Sequence, residues 1–308
     1  MSLRLAPVIV FAYKRKNELQ RAVNALKSCT LADQTDLFIF SDGPKGDKDK
    51  SGVLEVRDYI KTIQGFNKIT SSFSKNNKGL GASIITGVTT ILESYPSVIV
   101  LEDDLVPSKN FLQYMNQALE TYQHEQKVFS VTGYNYPFKI KKGEQNDVYF
   151  LPRPSSYGWA TWKDRWKDLD WDIRDFSKFA NDKKAIREFK EGGSDIYRML
   201  KRQQLGEIDS WAIRWAYNQY KNGSLTAYPI LSKIKNTGFS EQSTNTNIYN
   251  KYSSEFDSEN KQDFSFPSSI HVDPFYHQQL LSFYSIKNRI KNRLLTYLFK
   301  LGLIKNKI

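Results

Sequence analysis

The sequence predicts an α/β fold, a mostly parallel sheet flanked by helices, with a C-terminal region and a basic amphipathic tail helix added to it. Three observations predict it. Short β-branched apolar runs alternate with stretches of helical periodicity as far as residue 131, the pattern of parallel crossover units. The strand-like runs end in polar residues: Lys14 and Arg15, Ser41 and Asp42, then Glu102, Asp103 and Asp104. Finally, 308 residues that are 40% hydrophobic and 14% aromatic can bury a sizeable core, which excludes wholesale disorder.

The elements follow in order. Residues 7–13 are a continuous apolar run, as in a strand covered on both faces. Asn17 reads as an N-cap with Gln20 three residues on, and Leu19, Ala22, Val23 and Leu26 share one helical face. Residues 36–42 form a second buried strand, closed by Gly43 and Pro44. Val53, Val56, Tyr59, Ile60 and Ile63 mark a helix, and 68–73 a weaker strand. The loop Lys78-Gly79-Leu80-Gly81 opens a helix carrying Ile84, Val88, Ile91, Leu92 and Tyr95. The strand at 97–101 runs straight into Glu102, Asp103 and Asp104. A helix with Phe111, Met115 and Leu119 comes after Pro107, and 128–131 is a further strand. Ligands of such sheets bind at the carboxyl ends of the strands, so the strand-end polar residues gather at one edge.

The character changes beyond this point. Residues 150–175 hold Trp159, Trp162, Trp166 and Trp171, helical patterns follow at 177–190, 194–204 and from 209, and 240–260 is polar. The expected organisation is an α/β part over 1–135, a second part over 136–270 with a flexible loop at 238–262, and a helical basic tail over 271–308.

Charge and cysteine content narrow the function classes. The 45 Lys and Arg against 33 Asp and Glu give +12, but seven of the cations (Lys287, Arg289, Lys291, Arg293, Lys300, Lys305, Lys307) fall after residue 280, with no acid among them. Twelve minus seven leaves +5 for the rest. An excess held in a tail does not explain three acids closing a buried strand, and no nucleic-acid recognition motif is present, so no nucleic-acid partner is expected. A lone Cys29 and the lack of an ~18-residue apolar run point to a cytoplasmic chain, peripheral at the inner face of the membrane if its tail binds lipid.

The acids carry the sharpest chemistry. Three adjacent carboxylates repel one another beside an apolar strand unless something positive compensates. A hard divalent cation shared with phosphate oxygens would do so. A solvated loop start that caps the following helix is the plainer alternative.

Five stretches together resemble a known family: Val8 to Arg15, Phe38 to Gly43, Val98 to Leu105, Tyr157 to Trp162, and Asp209-Ser210-Trp211. The chain resembles the GT-A fold nucleotide-sugar glycosyltransferases, most closely the N-acetylglucosaminyltransferase I group, over about residues 5–240. The resemblance implies Asp104 as the ligand of Mn²⁺ or Mg²⁺, and Glu102 and Asp103 as contacts to ribose and donor sugar. It implies Arg15 and Asp42 as contacts to base and ribose. Asp209, two residues before Trp211, would be the general base of an inverting transfer from a UDP-linked sugar to a saccharide or glycolipid acceptor. Each residue also has a bland role: Arg15 as a surface cation, Asp42 as a turn-former, Asp209 or Ser210 as a helix cap.

Weaker candidates complete the set. Trp159 is either an apolar floor for a sugar ring or plain core. The amides after Lys78 could face a phosphate, and Gly238 begins a loop resembling the family's lid over the donor. In the tail, Ile286, Ile290, Leu294, Tyr297, Leu298 and Leu301 form one stripe flanked by basic residues. That stripe suits either an anionic membrane surface through 281–308 or packing on protein. Rival classes are a metal-dependent nucleotidyltransferase and a basic protein without catalysis.

Overall fold

The computed structural model describes residues 5–238 and 249–305. The chain begins with β1 (Val8–Ala12), α1 (Lys16–Lys27), β2 (Asp36–Ser41), α2 (Lys50–Ile60), β3 (Lys68–Phe73), α3 (Leu80–Ser94) and β4 (Ser97–Glu102). It continues through β5 (Leu105–Pro107), α4 (Phe111–Thr121), β6 (Val128–Thr132), β7 (Val148–Leu151), β8 (Trp159–Trp162) and α5 (Lys163–Trp166). The remainder is α6 (Phe176–Asn181), α7 (Lys183–Phe189), α8 (Ile196–Gln204), α9 (Trp211–Lys221), β9 (Leu225–Pro229), β10 (Ile234–Asn236), α10 (Pro274–Phe283) and α11 (Ile286–Lys300).

Eight strands make one sheet in the order β3-β2-β1-β4-β8-β6-β9-β7. The pairs β3–β2, β2–β1, β1–β4 and β6–β9 are parallel, whereas β8 runs antiparallel to β4 and β6, and β7 antiparallel to β9. The sheet is therefore mostly parallel, as expected. Strand order reverses between β1 and β4, which opens a crevice at their carboxyl ends. β1 is buried at every position because helices cover both faces, whereas β3 at the sheet edge is exposed at every position but Ile69.

One face packs Leu19, Val23 and Leu26 of α1, Val56 and Ile60 of α2, and Leu112 and Met115 of α4. The other packs Ile84, Val88 and Ile91 of α3 with Trp159, Trp166, Trp211 and Trp215. Smaller clusters join α6 to α9, and the tyrosines of β7, β9 and α10. Two local expectations change. α1 starts at Lys16 with Arg15 at the cap position, so Asn17 lies inside the first turn. Of the loop expected at 238–262, residues 239–248 lie outside the described residues, but the stretch after them is pinned. Asp257 is buried in an ion pair with Lys233 and accepts from Asn110 Nδ2 at 3.0 Å.

Candidate active site

β4 delivers its acids at the switch in strand order, with Glu102 paired beside Phe11 of β1. The turn after it is braced from the opposite side of the chain. β10 pairs antiparallel with β5, and Thr237 donates its N–H (2.9 Å) and its hydroxyl (3.0 Å) to the Asp104 carbonyl. Gly238 then lies so close that a Cβ there would overlap the Asp104 carboxylate. Close approach, rather than a special backbone angle, is what requires glycine at this position.

Arg15, at the end of β1, reaches across to both acids. It donates to Asp103 and, at 3.1 Å, to Asp104 Oδ2. Burial works against the Arg15 charge, but the two carboxylates outweigh it and hold the guanidinium above its ordinary pKa. Asp103 is 4% exposed, and burial pushes its carboxyl up to about 6 despite Arg15. Burial, with Asp104 and Asp103 beside it, raises Glu102 far above the usual carboxylate range. One guanidinium faces the two carboxylates of Asp103 and Asp104, so the cluster remains short of positive charge.

That deficit is the test for a cation. Among the described residues no three His, Cys, Asp or Glu side chains converge as a closed metal cage. Asp104 keeps part of its carboxylate exposed, with Gly238 closely against it. A hard cation that takes one protein carboxylate and completes its shell with water and diphosphate fits this donor set.

The next group is organised by the start of α3. Asp42, at the end of β2, accepts from the amides of Gly43 (2.8 Å), Lys78 (2.9 Å) and Gly79 (2.9 Å), and from Asn77 Nδ2 (3.1 Å). Its four lone-pair directions are thereby committed. The turn-building role is the one displayed, and the Lys78 and Gly79 amides face this carboxylate instead of an open phosphate site. The anion also sits favourably at the helix N-terminus. The Lys78 side chain is exposed.

Asp209 approaches the same helix start from α9. A Cβ on Gly81 would stand 3.2 Å from Asp209 Oδ1. Ser210, not Asp209, caps α9, its Oγ accepting from Ile213 N at 3.4 Å. Asp209 is left exposed, held by Arg214 at 3.2 Å.

No protein family and no curated relative matches the sequence. Among solved structures the chain is similar to a mannosyltransferase from Pyrobaculum calidifontis in complex with GDP-Man and Mn²⁺, at 12% identity and a TM-score of 0.38, covering 52% of this chain and 45% of that one. It is also similar to S. aureus TarS, at 12% identity and a TM-score of 0.43, covering 76% and 37%. The chain thus spans less than half the length of either protein.

Arg15, Asp42, Glu102, Asp103, Asp104, Asp209 and Gly238 all come to the carboxyl edge of the sheet or to the segments lining it. Trp159 does not join them. It is 1% exposed and packs on Trp166, Trp211 and Trp215 at 4.4–5.6 Å between ring centres, so its indole is core and offers no face to a sugar. Two contributors were not anticipated. Arg214 is legible only as a cation one helical turn beyond Ser210, and Thr237 earns its place through a contact to Asp104 that spans 133 positions.

Proposed function

We propose that the chain is a metal-dependent, inverting glycosyltransferase that moves a sugar from a nucleoside-diphosphate donor, UDP-linked by resemblance, to a saccharide or lipid-linked saccharide. The observation that carries this is the convergence of Arg15, the Glu102–Asp103–Asp104 turn and Asp209 on one sheet edge at the switch in strand order. Asp104 would hold Mn²⁺ or Mg²⁺, which when bound would supply positive charge against the departing diphosphate. Arg15 holds the acid turn closed and adds a fixed positive charge beside it. Asp42 fixes the start of α3, against which Asp209 stands. Asp209 takes the proton of the attacking hydroxyl, and Arg214 orients its carboxylate.

Asp209→Asn should keep donor-induced stabilisation and lose transfer by about 10²-fold or more, the range of a general base. Asp104→Ala should lose the Mn²⁺-dependent part of the donor-induced rise in melting temperature while melting normally without ligand. A screen of nucleotide sugars by thermal shift, with and without Mn²⁺, checks both. Near-normal turnover in Asp209→Asn would end its role as base. The nucleotidyltransferase alternative shares the acids and the metal but releases inorganic diphosphate.

The tail belongs to the same proposal. α11 has no buried residue, and Ile286, Ile290, Leu294, Tyr297 and Leu301 are each more than half exposed. No helix among the described residues is long and apolar enough to cross a membrane. With Lys287, Lys291, Arg293 and Lys300 flanking the stripe, an anionic bilayer surface is the partner that suits both its apolarity and its charge.

A further inference from the structure

Lys251 is a cation without a counter-ion. Its amine stands 4.8, 4.9 and 5.1 Å from the ring centres of Phe283, Tyr252 and Tyr284, and no carboxylate among the described residues pairs with it. Ring faces attract an ammonium group, but they leave its three N–H donors without the oxygen acceptors that water would supply. The residue is half-buried, so part of that water is gone. Burial lowers the pKa of the amine, and Arg153 and Arg289 act in the same direction against Asp195.

Arg289 is the second such group. It lies in the first turns of α11, its amide donating to the Ser285 carbonyl at 3.0 Å. Its Nε is enclosed without an acceptor, and among the described residues no ion pair engages its guanidinium. The carboxylate that acts on Lys251, Asp195, is already bidentate to Arg153 at 2.9 and 3.1 Å. Three cations therefore stand around one committed carboxylate.

The α10–α11 corner fixes these groups in place. Phe283 ends α10, the Tyr284 carbonyl accepts from Ser194 Oγ at 2.6 Å, and Ser285 Oγ caps α11 by accepting from Asn288 N at 3.2 Å. The start of α11 is also the positive end of its helix dipole. Tyr252 and Tyr284 wall a cavity of about 170 Å³, which leaves open space beside the Lys251 amine. What the corner lacks is an anion. A phosphate group, with oxygens on several sides, can meet an ammonium and a guanidinium that come from different segments of the chain.

We propose that Lys251 and Arg289 bind a phosphate group at the root of α11. Only its source, a lipid headgroup, rests on the membrane role proposed above for the tail.

Phosphorus-31 NMR titration of inorganic phosphate into the full chain, and sedimentation with vesicles of phosphatidylglycerol in phosphatidylcholine, test it. Inorganic phosphate should bind, and acetate at equal concentration should not displace it. Lys251→Met and Arg289→Gln should each weaken phosphate binding about fivefold or more, the loss of one charge-assisted contact, with an unchanged melting temperature. Lys251→Arg, which keeps the charge, should retain it, separating loss of charge from loss of fold. Lys300→Gln, which removes an exposed cation from the far end of α11, should leave it as it was. If a lipid supplies the phosphate, Lys251→Met and Arg289→Gln should weaken sedimentation more than Lys300→Gln does. An effect confined to inorganic phosphate assigns the same site to a soluble phosphate ester. A chain that binds phosphate through both residues yet ignores the vesicles would end the membrane role of the tail and leave the site standing. Absence of phosphate binding, displacement by acetate, binding indifferent to both substitutions, or equal weakening by Lys300→Gln would overturn the proposal.

Discussion

Gly238 shows how much of the site depends on a single missing side chain. Its Cα lies against the Asp104 carboxylate, so a methyl group must push the acid or the β10 segment aside. Gly238→Ala is therefore expected to melt close to the wild type yet lose most Mn²⁺-dependent stabilisation by nucleotide sugar. Gly46→Ala is the control, because nothing lies within 4 Å of a Cβ there and its φ of −169° is ordinary extended backbone. Equal donor responses in the two variants would show that the 238 position does not shape the acid turn. The buried Lys233–Asp257 pair acts at the same scale. It ties the strand leading into Gly238 to the chain after residue 248, and loss of one partner would leave a buried charge uncompensated.

At the level of elements, legibility followed periodicity. β1, β2 and β4 stand out as unbroken apolar runs, and α1 and α3 as 3.6-residue stripes, because helices cover both faces of the parallel half of the sheet. β7 and β8 are only four residues each and buried at every position. Nothing alternates in them, and the Trp159–Trp162 stretch is as compatible with a packed loop as with a strand. The Arg15 bridge to Asp103 and Asp104 was hidden for another reason: it spans nearly 90 positions and exists only once β1 and β4 are neighbours.

The tail helix was legible as an amphipathic stripe, but its starting point was not. Tyr284 is 4% exposed, sits over Arg153, and its carbonyl accepts from Ser194 Oγ at 2.6 Å, so residues 281–285 are part of the body. A truncation must begin at Ile286, which Ser285 caps. Removal of 286–308 should abolish sedimentation with phosphatidylglycerol vesicles, leave the melting temperature within a few degrees, and spare donor binding. Unchanged vesicle binding by the truncated chain would remove the membrane from the account.

Over the whole molecule the charge of +12 divides into a tail of seven cations and a body near +5. The body's informative charges are acids: Glu102, Asp103 and Asp104 at the end of β4, Asp42 under α3, and Asp209 before α9. Such an edge suits a phosphorylated ligand delivered with a cation better than a nucleic-acid backbone bound by lysines. The most direct measurement is the phosphorus-31 NMR spectrum of the full chain turning over a nucleotide sugar with Mn²⁺ and a saccharide acceptor. The account predicts nucleoside diphosphate accumulating in step with glycosylated acceptor and no inorganic diphosphate. Release of inorganic diphosphate, or transfer that persists undiminished in Asp209→Asn, would contradict it.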